Sequence, residues 1–366
     1  MTTRCTYITA IAALLLSASA CCETQCPSHD DEPQPQPEIR TARLMFAGDV
    51  MCHSPQITAA RLADGSGDYD FSASFEYVRP LFEAADAAIV NFETVVSPDG
   101  YYAGYPAFSS PAALANALKN AGVDIAVTAN NHCCDRYARG IRATAATFDA
   151  LGIARTGAFT DSTDYARNRI LRFERNGIRF AMLNYTYGTN GIPVPEGCIV
   201  NLIDTVRMAA DMGDASDADC RIVILHWGEE YQRFTNASQK RIREFLERTG
   251  AEIIIGSHPH VIQPAEAAGG RVFASSLGNF VSNQRKRYCD GGLMAEVEVT
   301  KQSDTTGVSC RMRLIPVWVR LPGYRIIPPS VADTLPMRAD ERTLYRQFIN
   351  DTEKLLYTAK FTDKSN

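Results

Sequence analysis

Short apolar segments alternate with amphipathic segments over most of this chain, and the alternation limits the folds that it can adopt. Apolar runs rich in branched residues are typical of buried strands, and apolar residues at helical spacing between them are typical of crossover helices. The predicted strands are 43–47, 87–92, 124–128, 178–185, 221–226, 252–256, 272–274 and 293–299, and the predicted crossover helices are 111–120, 140–150 and 238–248. This order predicts a layered α/β domain.

Two further segments complete the predicted architecture. The run 170–180 contains an Asn176-Gly177 turn between apolar residues, which predicts a β-hairpin and therefore a mixed sheet. Beyond Pro322 a proline-containing loop precedes a predicted helix at 339–358. We expect this helix to pack on the outside of the domain.

The composition excludes some classes of protein. A hydrophobic content of 45% and a charged content of 22% over 366 residues are typical of a globular chain with one large core or two modest ones. The formal net charge of -5 argues against broad nucleic-acid binding, which requires a concentrated basic face. Arg285, Lys286 and Arg287 form the compact basic cluster, as either a solvated turn or an anion-recognition site.

The first 20 residues have the pattern of an export signal. Arg4 precedes an apolar run at 8–16, and Ala18 and Ala20 stand just before Cys21. Ordinary signal cleavage after Ala20 fits this pattern, but we favour lipidation of Cys21, as in a bacterial lipoprotein. Residues 21–42, rich in proline and acidic residues, would then form a tether that holds the domain at the membrane of the cell envelope.

Export would expose the cysteines to an oxidising compartment, where disulfides form. Beyond the tether the chain has seven cysteines, at 52, 133, 134, 198, 220, 289 and 310. The odd number leaves at least one thiol free unless Cys22 or Cys26 takes part. No CxxC pair is present, so a thiolate zinc site is not expected. Cys133 and Cys134 follow His132 and are either ligands or small buried residues of a turn.

All histidines except His29 lie in clusters that follow predicted strands. His53, His132 and His226 each follow or end such a strand, and His258 and His260 share one turn. Open α/β sheets bind their ligands at the carboxyl ends of strands. Neutral imidazoles there are nitrogen donors for divalent transition metals.

Oxygen donors occupy equivalent positions. Asp49 follows the first predicted strand, Glu93 follows the second, and Asn131 offers a neutral amide oxygen. With His226, His258 and His260, these residues predict a hydrolytic centre for two divalent ions, in which a single carboxylate bridges both. His132 is placed to act as a general acid. Mixed nitrogen and oxygen donors admit Zn, Mn or Fe.

The motifs that carry these residues resemble those of the CapA family, the bacterial capsule or poly-gamma-glutamate synthesis group. They are GDVM at 48–51, NFE at 91–93, ANNH at 129–132, HWGEEY at 226–231, GSHPHVIQP at 256–264 and SLGNF at 276–280. The resemblance implies an α/β fold of the calcineurin-like metallophosphoesterase type, a four-layer α/β/β/α sandwich with mixed sheets. The resemblance covers residues 43–281, and we expect the domain to span 43–325, followed by a C-terminal extension at 326–366.

The resemblance also implies a role for each position. Asp49 and His260 would bind the first metal, Glu93 would bridge, and Asn131, His226 and His258 would bind the second metal. His132 would protonate the leaving group. Four further residues would support these ligands or face the substrate: Asp135, Trp227, Glu229 and Asn279.

The sequence departs from the phosphoesterase pattern at two positions. Met51 stands where a histidine is expected two residues after the aspartate, and Glu93 replaces the shorter bridging aspartate. His53 is a candidate replacement ligand, although its spacing differs from that of the usual turn. Hydrolysis of phosphate esters therefore does not follow from the fold.

Three functions are compatible with these residues. The first is an envelope protein of capsule biosynthesis that hydrolyses or transfers bonds of an anionic polymer, or anchors that polymer, beside membrane synthase subunits. The second is a periplasmic metal-dependent phosphoesterase acting on a small phosphorylated substrate. The third is a non-catalytic protein that binds the polymer or assembles its partners. Tyr101, Tyr102, Tyr105 and Phe108 would form either an aromatic substrate rim or a hydrophobic plug.

Overall fold

A computed structural model describes residues 38–303 and 307–362, with side chains up to residue 357. The predicted leader, Cys21 and most of the predicted tether lie outside these residues. The strands are β1 Ile39–Val50, β2 Ala87–Phe92, β3 Ile125–Val127, β4 Ala154–Thr156, β5 Ala158–Phe159, β6 Leu171–Arg175, β7 Ile178–Thr186, β8 Ile199–Val200, β9 Cys220–His226, β10 Ile253–Ser257, β11 Ala265–Ala268, β12 Arg271–Ala274, β13 Asn279–Val281, β14 Gly291–Gln302, β15 Val308–Arg320 and β16 Arg325–Ile327. The helices are α1 Ser54–Ala60, α2 Ser72–Phe75, α3 Arg79–Glu83, α4 Ala112–Asn120, α5 Tyr137–Leu151, α6 Ser162–Asn168, α7 Thr205–Asp214, α8 Ala237–Thr249, α9 Pro329–Ala332 and α10 Ala339–Thr362.

Two large mixed sheets form the centre of the domain. The first has the strand order β16-β15-β14-β1-β2-β3-β4, with β13 also paired to β1, and the second has the order β11-β12-β10-β9-β7-β6. In the first sheet β1 to β4 are parallel, and in the second β7, β9, β10 and β12 are parallel. The predicted hairpin at 170–180 is confirmed as β6 and β7, which pair antiparallel.

Side-chain alternation along the strands packs the two sheets face to face. In β1, Leu44 and Phe46 enter a core that also contains Phe180 and Ile222 of the second sheet. Met45, between them, enters a different core on the opposite face of the first sheet. Because successive side chains of a strand point to opposite faces, a strand that is buried on both sides must belong to an inner layer.

Helices cover both outer faces. Leu114 and Leu118 of α4 and Phe148 of α5 pack against the outer face of the first sheet. Met208 of α7 and Leu246 of α8 pack against the outer face of the second sheet. The predicted four-layer α/β/β/α sandwich with mixed sheets is thus confirmed.

The carboxyl-terminal region differs from the expectation. The long strand β15 pairs with β14 and β16, although no strand was predicted there, and the expected domain boundary at 325–326 falls within β16. The predicted helix is present as α10 but is not an external addition. Its side chains Tyr345, Phe348 and Leu355 are buried with the core between the sheets, because the helix contacts both β15 and β11 and covers their edge.

The amino-terminal boundary also differs. β1 begins at Ile39, within the segment expected to be a tether, because residues 39–42 pair with the end of β14. The described part of the chain contains no helix with the length and hydrophobicity of a membrane-spanning segment.

Candidate metal centre

The carboxyl ends of four strands from the two sheets meet at one place. Asp49 lies at the end of β1 and Glu93 directly follows β2, while His226 ends β9 and His258 and His260 follow β10. All five side chains are at most 4% exposed. The expected convergence of these clusters is present, and it joins one sheet to the other.

A close backbone approach aims Asp49 into the cluster. The Asp49 N–H donates to the carbonyl of Gly278 at 3.0 Å, and a Cβ on the preceding Gly48 would lie 2.0 Å from that same oxygen. Only glycine therefore fits at position 48. The pairing of β1 with β2 shifts register between Ala47 and Asp49, which is a bulge of the kind that redirects a side chain.

Asp49 is held from three sides. Its Oδ1 accepts from Asn91 Nδ2 at 2.8 Å, and its Oδ2 lies 3.2 Å from His260 Nδ1 and accepts weakly from the His258 N–H at 3.4 Å. His260 Nδ1 also lies 3.2 Å from Asn279 Oδ1. Since both neighbours of Nδ1 are oxygens, Nδ1 carries the proton and Nε2 is left as the free donor of a lone pair.

Glu93 is the most unusual side chain of the cluster. It is fully buried, and neither carboxylate oxygen has a hydrogen-bond partner among the described residues. Oε1 lies 3.6 Å from His226 Nε2 and 3.7 Å from His260 Nε2. Burial, together with the negative charge of Asp49, raises the pKa of Glu93 well above its usual value. A buried carboxylate without donors is expected where a cation binds.

The histidines are in the form that binds metal. Burial lowers the pKa of His226 well below its usual value and that of His258 to about 3, so both imidazoles are neutral. His258 Nδ1 has no hydrogen-bond partner among the described residues. His258 and His260 have positive φ values of 98° and 57°, which are strained for residues other than glycine.

Asn131 completes one side of the cluster. Its Oδ1 lies 2.9 Å from His226 Nε2, and its Nδ2 donates to Asn190 Oδ1 at 3.2 Å. On the other side of the His226 ring, Nδ1 faces Ser257 Oγ at 3.2 Å. The amide oxygen and the imidazole nitrogen therefore lie side by side at the edge of the cluster.

His132 lies beside the cluster with a carboxylate of its own. His132 Nδ1 is 2.7 Å from Asp135 Oδ2, which also accepts from the Phe108 N–H at 2.7 Å. The Phe108 ring stands edge-on to His132 with centroids 4.6 Å apart. Asp135 fixes the proton on Nδ1, which leaves Nε2 as the nitrogen that can exchange a proton with a substrate.

The donor set fits divalent metal ions. Two groups, Glu93 with His226 and His258, and Asp49 with Glu93 and His260, each bring their ligand atoms within 4.8 Å of one another. Both groups include Glu93, whose two oxygens accept no hydrogen bond from the described residues. Neutral imidazoles with carboxylate and amide oxygens suit Zn, Mn or Fe.

Some of the predicted residues lie away from these groups. Trp227 is buried on the outer face of the second sheet, where its Nε1–H donates to Ser275 O at 2.9 Å, so it does not face a substrate. Glu229 is exposed and accepts from Asn236 Nδ2 at 3.3 Å. His53 lies outside both groups of potential ligands, and its Nδ1 is 3.1 Å from Gln56 Oε1 and 3.3 Å from the Asn283 nitrogen.

The cysteines and the aromatic loop also have structural positions. The seven cysteines of the described residues are all free, and Cys133 and Cys134 pack in a small hydrophobic cluster with Ile141 rather than joining a metal-binding group. Phe108 is fully buried, whereas Tyr101 and Tyr105 are 60% and 72% exposed. The loop therefore supplies one plug residue, and two of its tyrosines remain open to solvent.

Sequence reasoning missed several residues around the cluster. Asn91 orients Asp49, and Asn130 donates from Nδ2 to Phe92 O at 2.8 Å and accepts from the His132 N–H. Their signal was present, since both lie inside the NFE and ANNH motifs. Tyr187, whose ring lies 4.5 Å from that of His258, carries no such signal because its loop reaches the cluster only in the folded protein.

Comparisons with known proteins agree with these motifs. The family described as "Bacterial capsule synthesis protein PGA_cap" matches residues 43–284. The chain is 29% identical to "PGA biosynthesis protein CapA" of Bacillus subtilis (strain 168) over 65% of its own length but only 63% of that protein. It is 26% identical to "Capsule biosynthesis protein CapA" of Bacillus anthracis over 97% of its length and 83% of that protein.

One solved structure with a similar course of the chain is the Thermus thermophilus sulfate thiohydrolase SoxB in complex with glycerol. The TM-score is 0.42 and the identity 15%, and the match covers 78% of this chain and 46% of that one.

Proposed function

Because the chain belongs to the family of bacterial capsule synthesis proteins, we propose that it acts in capsule formation as a metal-dependent hydrolase of an amide-linked anionic polymer. The observation that supports this proposal best is Glu93, which is buried, has no hydrogen-bond partner in the described part of the chain and is shared by two groups of potential ligands. The proposed substrate class follows the names of the two Bacillus relatives, one for PGA biosynthesis and one for capsule biosynthesis.

The proposed ligands are Asp49, Glu93 and His260 for one ion, and Glu93, Asn131, His226 and His258 for the other. A bound pair of divalent ions would supply a water of lowered pKa and positive charge near the transition state. His132 Nε2 would take a proton from the attacking water and give it to the leaving amine, while Asp135 holds the other ring proton on Nδ1. Phe108, edge-on to His132, would keep bulk water from that ring.

We place the protein at the cell envelope, in agreement with its capsule-biosynthesis relatives. Two finer proposals, export and a lipid anchor at Cys21, rest on residues 1–42 alone. A position beside membrane synthase subunits rests on the resemblance to the CapA family. Mass spectrometry of the protein from its membrane fraction tests the lipid anchor, because diacylation of Cys21 adds a defined mass that a Cys21→Ser variant lacks.

Metal analysis combined with an activity assay tests the hydrolase. We compare the full chain with a His258→Ala plus His260→Ala variant, and we use His53→Ala as the control because His53 lies outside both ligand groups. Each protein is analysed for bound metal and assayed on poly-gamma-glutamate and on a phosphodiester. We expect up to two metal ions per chain in wild type and in the control, loss of metal in the double variant, and cleavage of the polyamide.

The outcomes separate the three candidate functions. Cleavage of the phosphodiester alone would make the protein a phosphoesterase with the same ligands. If the wild-type protein binds no metal when divalent ions are supplied in excess, the hydrolytic mechanism is excluded and a polymer-binding or assembly role is left.

A further inference from the structure

The three residues of the basic cluster at 285–287 have different surroundings: the two arginines bind other parts of the fold, and the lysine does not form an ion pair with a described residue. Arg285 donates to the carbonyls of Val319 and Ser282 at 2.8 and 2.7 Å. Arg287 pairs with Asp351 at 2.8 Å. Lys286 is exposed, and among the described residues it has no carboxylate within ion-pair distance. Of the two sequence interpretations of this cluster, a solvated turn fits the arginines but leaves Lys286 unexplained.

Lys286 instead lies on a tyrosine next to the candidate metal centre. Its Nζ is 4.4 Å from the centroid of the Tyr231 ring, and that ring is 6.2 Å from the ring of His260. The Tyr231 N–H donates to Pro259 O at 2.8 Å, between the two ligand histidines. The tyrosine therefore holds the ammonium at the edge of the cluster by a cation–π contact.

Two partly exposed tyrosines lie against the histidine pair. Tyr231 is 39% exposed beside His260, and Tyr187 is 48% exposed beside His258. These two rings separate the buried histidines from solvent and would be the first surface that an arriving chain meets. Burial and the neighbouring Glu230 raise the pKa of Tyr231 to about 12, so its ring is neutral and attracts a cation.

A substrate carboxylate outside the ligand groups would need a cation of its own. Glu230 contributes negative charge beside Tyr231, and a carboxylate polymer is itself negative. Lys286 offers a positive charge next to the cluster, held in place by Tyr231. A compact ammonium binds a carboxylate as a point charge.

We propose that Lys286, resting on Tyr231, binds the free carboxylate of the gamma-glutamyl unit that adjoins the bond cleaved at the metal centre. Each unit of such a polymer carries one free carboxylate and extends roughly 6 Å when straight. The two ring distances place the ammonium within one or two units of His260. This proposal rests on the proposed hydrolase function and adds a specificity determinant, selecting a carboxylated polyamide over a neutral one.

The test compares binding of a gamma-glutamate oligomer with binding of its methyl ester, which lacks the charges. The metal-loaded full chain is titrated as wild type, Lys286→Gln and Lys286→Arg. Lys119→Gln is the control, because Lys119 lies in the last turn of α4, which precedes the start of β3, whereas the cluster lies at the carboxyl ends of the strands. We expect Lys286→Gln to weaken oligomer binding by about 3- to 10-fold at low salt, while Lys286→Arg and Lys119→Gln keep it. Ester binding should not change.

The same samples are analysed for metal content and for cleavage, with KM expected to rise in Lys286→Gln and kcat to stay constant. An equal loss for oligomer and ester, or an equal loss in Lys119→Gln, would overturn the carboxylate subsite. A wild-type protein that does not bind the oligomer would overturn it too. Oligomer binding that depends on Lys286 without any cleavage would refute the hydrolase and keep the subsite. Cleavage with the same KM in Lys286→Gln as in wild type would refute the subsite and keep the hydrolase.

Discussion

Replacing Glu93 by glutamine should change stability in opposite directions with and without metal. The substitution keeps the shape of the side chain but removes the charge that both ligand groups share. One group would retain the carboxylate of Asp49, and the other, with His226 and His258, would have none. We therefore expect the number of tightly bound ions to fall from two to one or none.

In the metal-free protein, the burial of Glu93 determines how much the substitution changes the free energy of unfolding. Because the folded pKa of Glu93 is raised above its ordinary value of 4.5, stability is complete below pH 4.5 and is lost as the pH rises towards the folded pKa. The loss is about 1.4 kcal/mol for each pH unit in that window. Glu93→Gln has no such loss, so it should be at least as stable as wild type at pH 7 after chelation.

With bound metal, wild type should be more stable than Glu93→Gln. A ligand at 100 times its dissociation constant stabilises the folded state by about 2.7 kcal/mol, and the glutamine variant should lose most of this gain. Chemical denaturation between pH 5 and 7.5, with chelator or with added divalent metal, measures both effects. The exposed Glu229→Gln is the control. The reasoning is refuted if Glu93→Gln destabilises the chelated protein by more than about 1 kcal/mol and keeps the stabilisation by metal, since Glu93 would then be a structural residue.

Three further changes test other parts of the structure. Asp135→Asn should lower kcat by about 100-fold or more without loss of bound metal, because His132 Nδ1 loses its carboxylate partner; steady-state rates and metal analysis check this. Gly256→Ala should lower the free energy of unfolding by about 1–3 kcal/mol or more, because its Cβ would lie 1.9 Å from Ser275 O, whereas Gly188→Ala, with open space around it, should not; thermal unfolding compares the two. Burial opposes the charged form of Asp219, but hydrogen bonds from Arg179 and Lys301 outweigh it and lower the pKa well below 3.8. Asp219→Asn should therefore cost about 1–3 kcal/mol at pH 7, and the difference from wild type should shrink as the pH falls below 3.8, as urea denaturation at several pH values would show.

The layered fold could be predicted because its inner strands carry an unambiguous signal. The run 87–92 is apolar except for Asn91 and is β2 at the predicted bounds, and β9 differs by one residue from the prediction. β15 was missed because it contains Pro316 and exposed charged residues such as Arg311 and Arg313. That strand is recognisable only from its long antiparallel pairing with β14, which no local pattern reveals.

The ligand residues could be predicted, but the contacts that tune them could not. Asp49, Glu93 and the histidines stand at strand ends, and sheet geometry alone brings such ends together. The proton position on His260 depends on Asp49 and on Asn279, which arrives from another loop. The sequence leaves the role of Lys286 open, because the partners of Arg285 and Arg287 are visible only in the folded protein. The catalytic roles of the ligand residues and of His132 stay predictions.

The positive φ values of His258 and His260 set the stability of the fold against its activity. His258 and His260 hold backbone conformations that cost of order 1–3 kcal/mol each for residues with a Cβ, and glycine would relieve that cost. A variant library selected for heat resistance alone should therefore enrich glycine at both positions, whereas selection for capsule formation should retain imidazoles. Backbone strain thus coincides with two residues that give this site its chemistry, and we expect thermostabilised descendants of this protein to lose function through changes there.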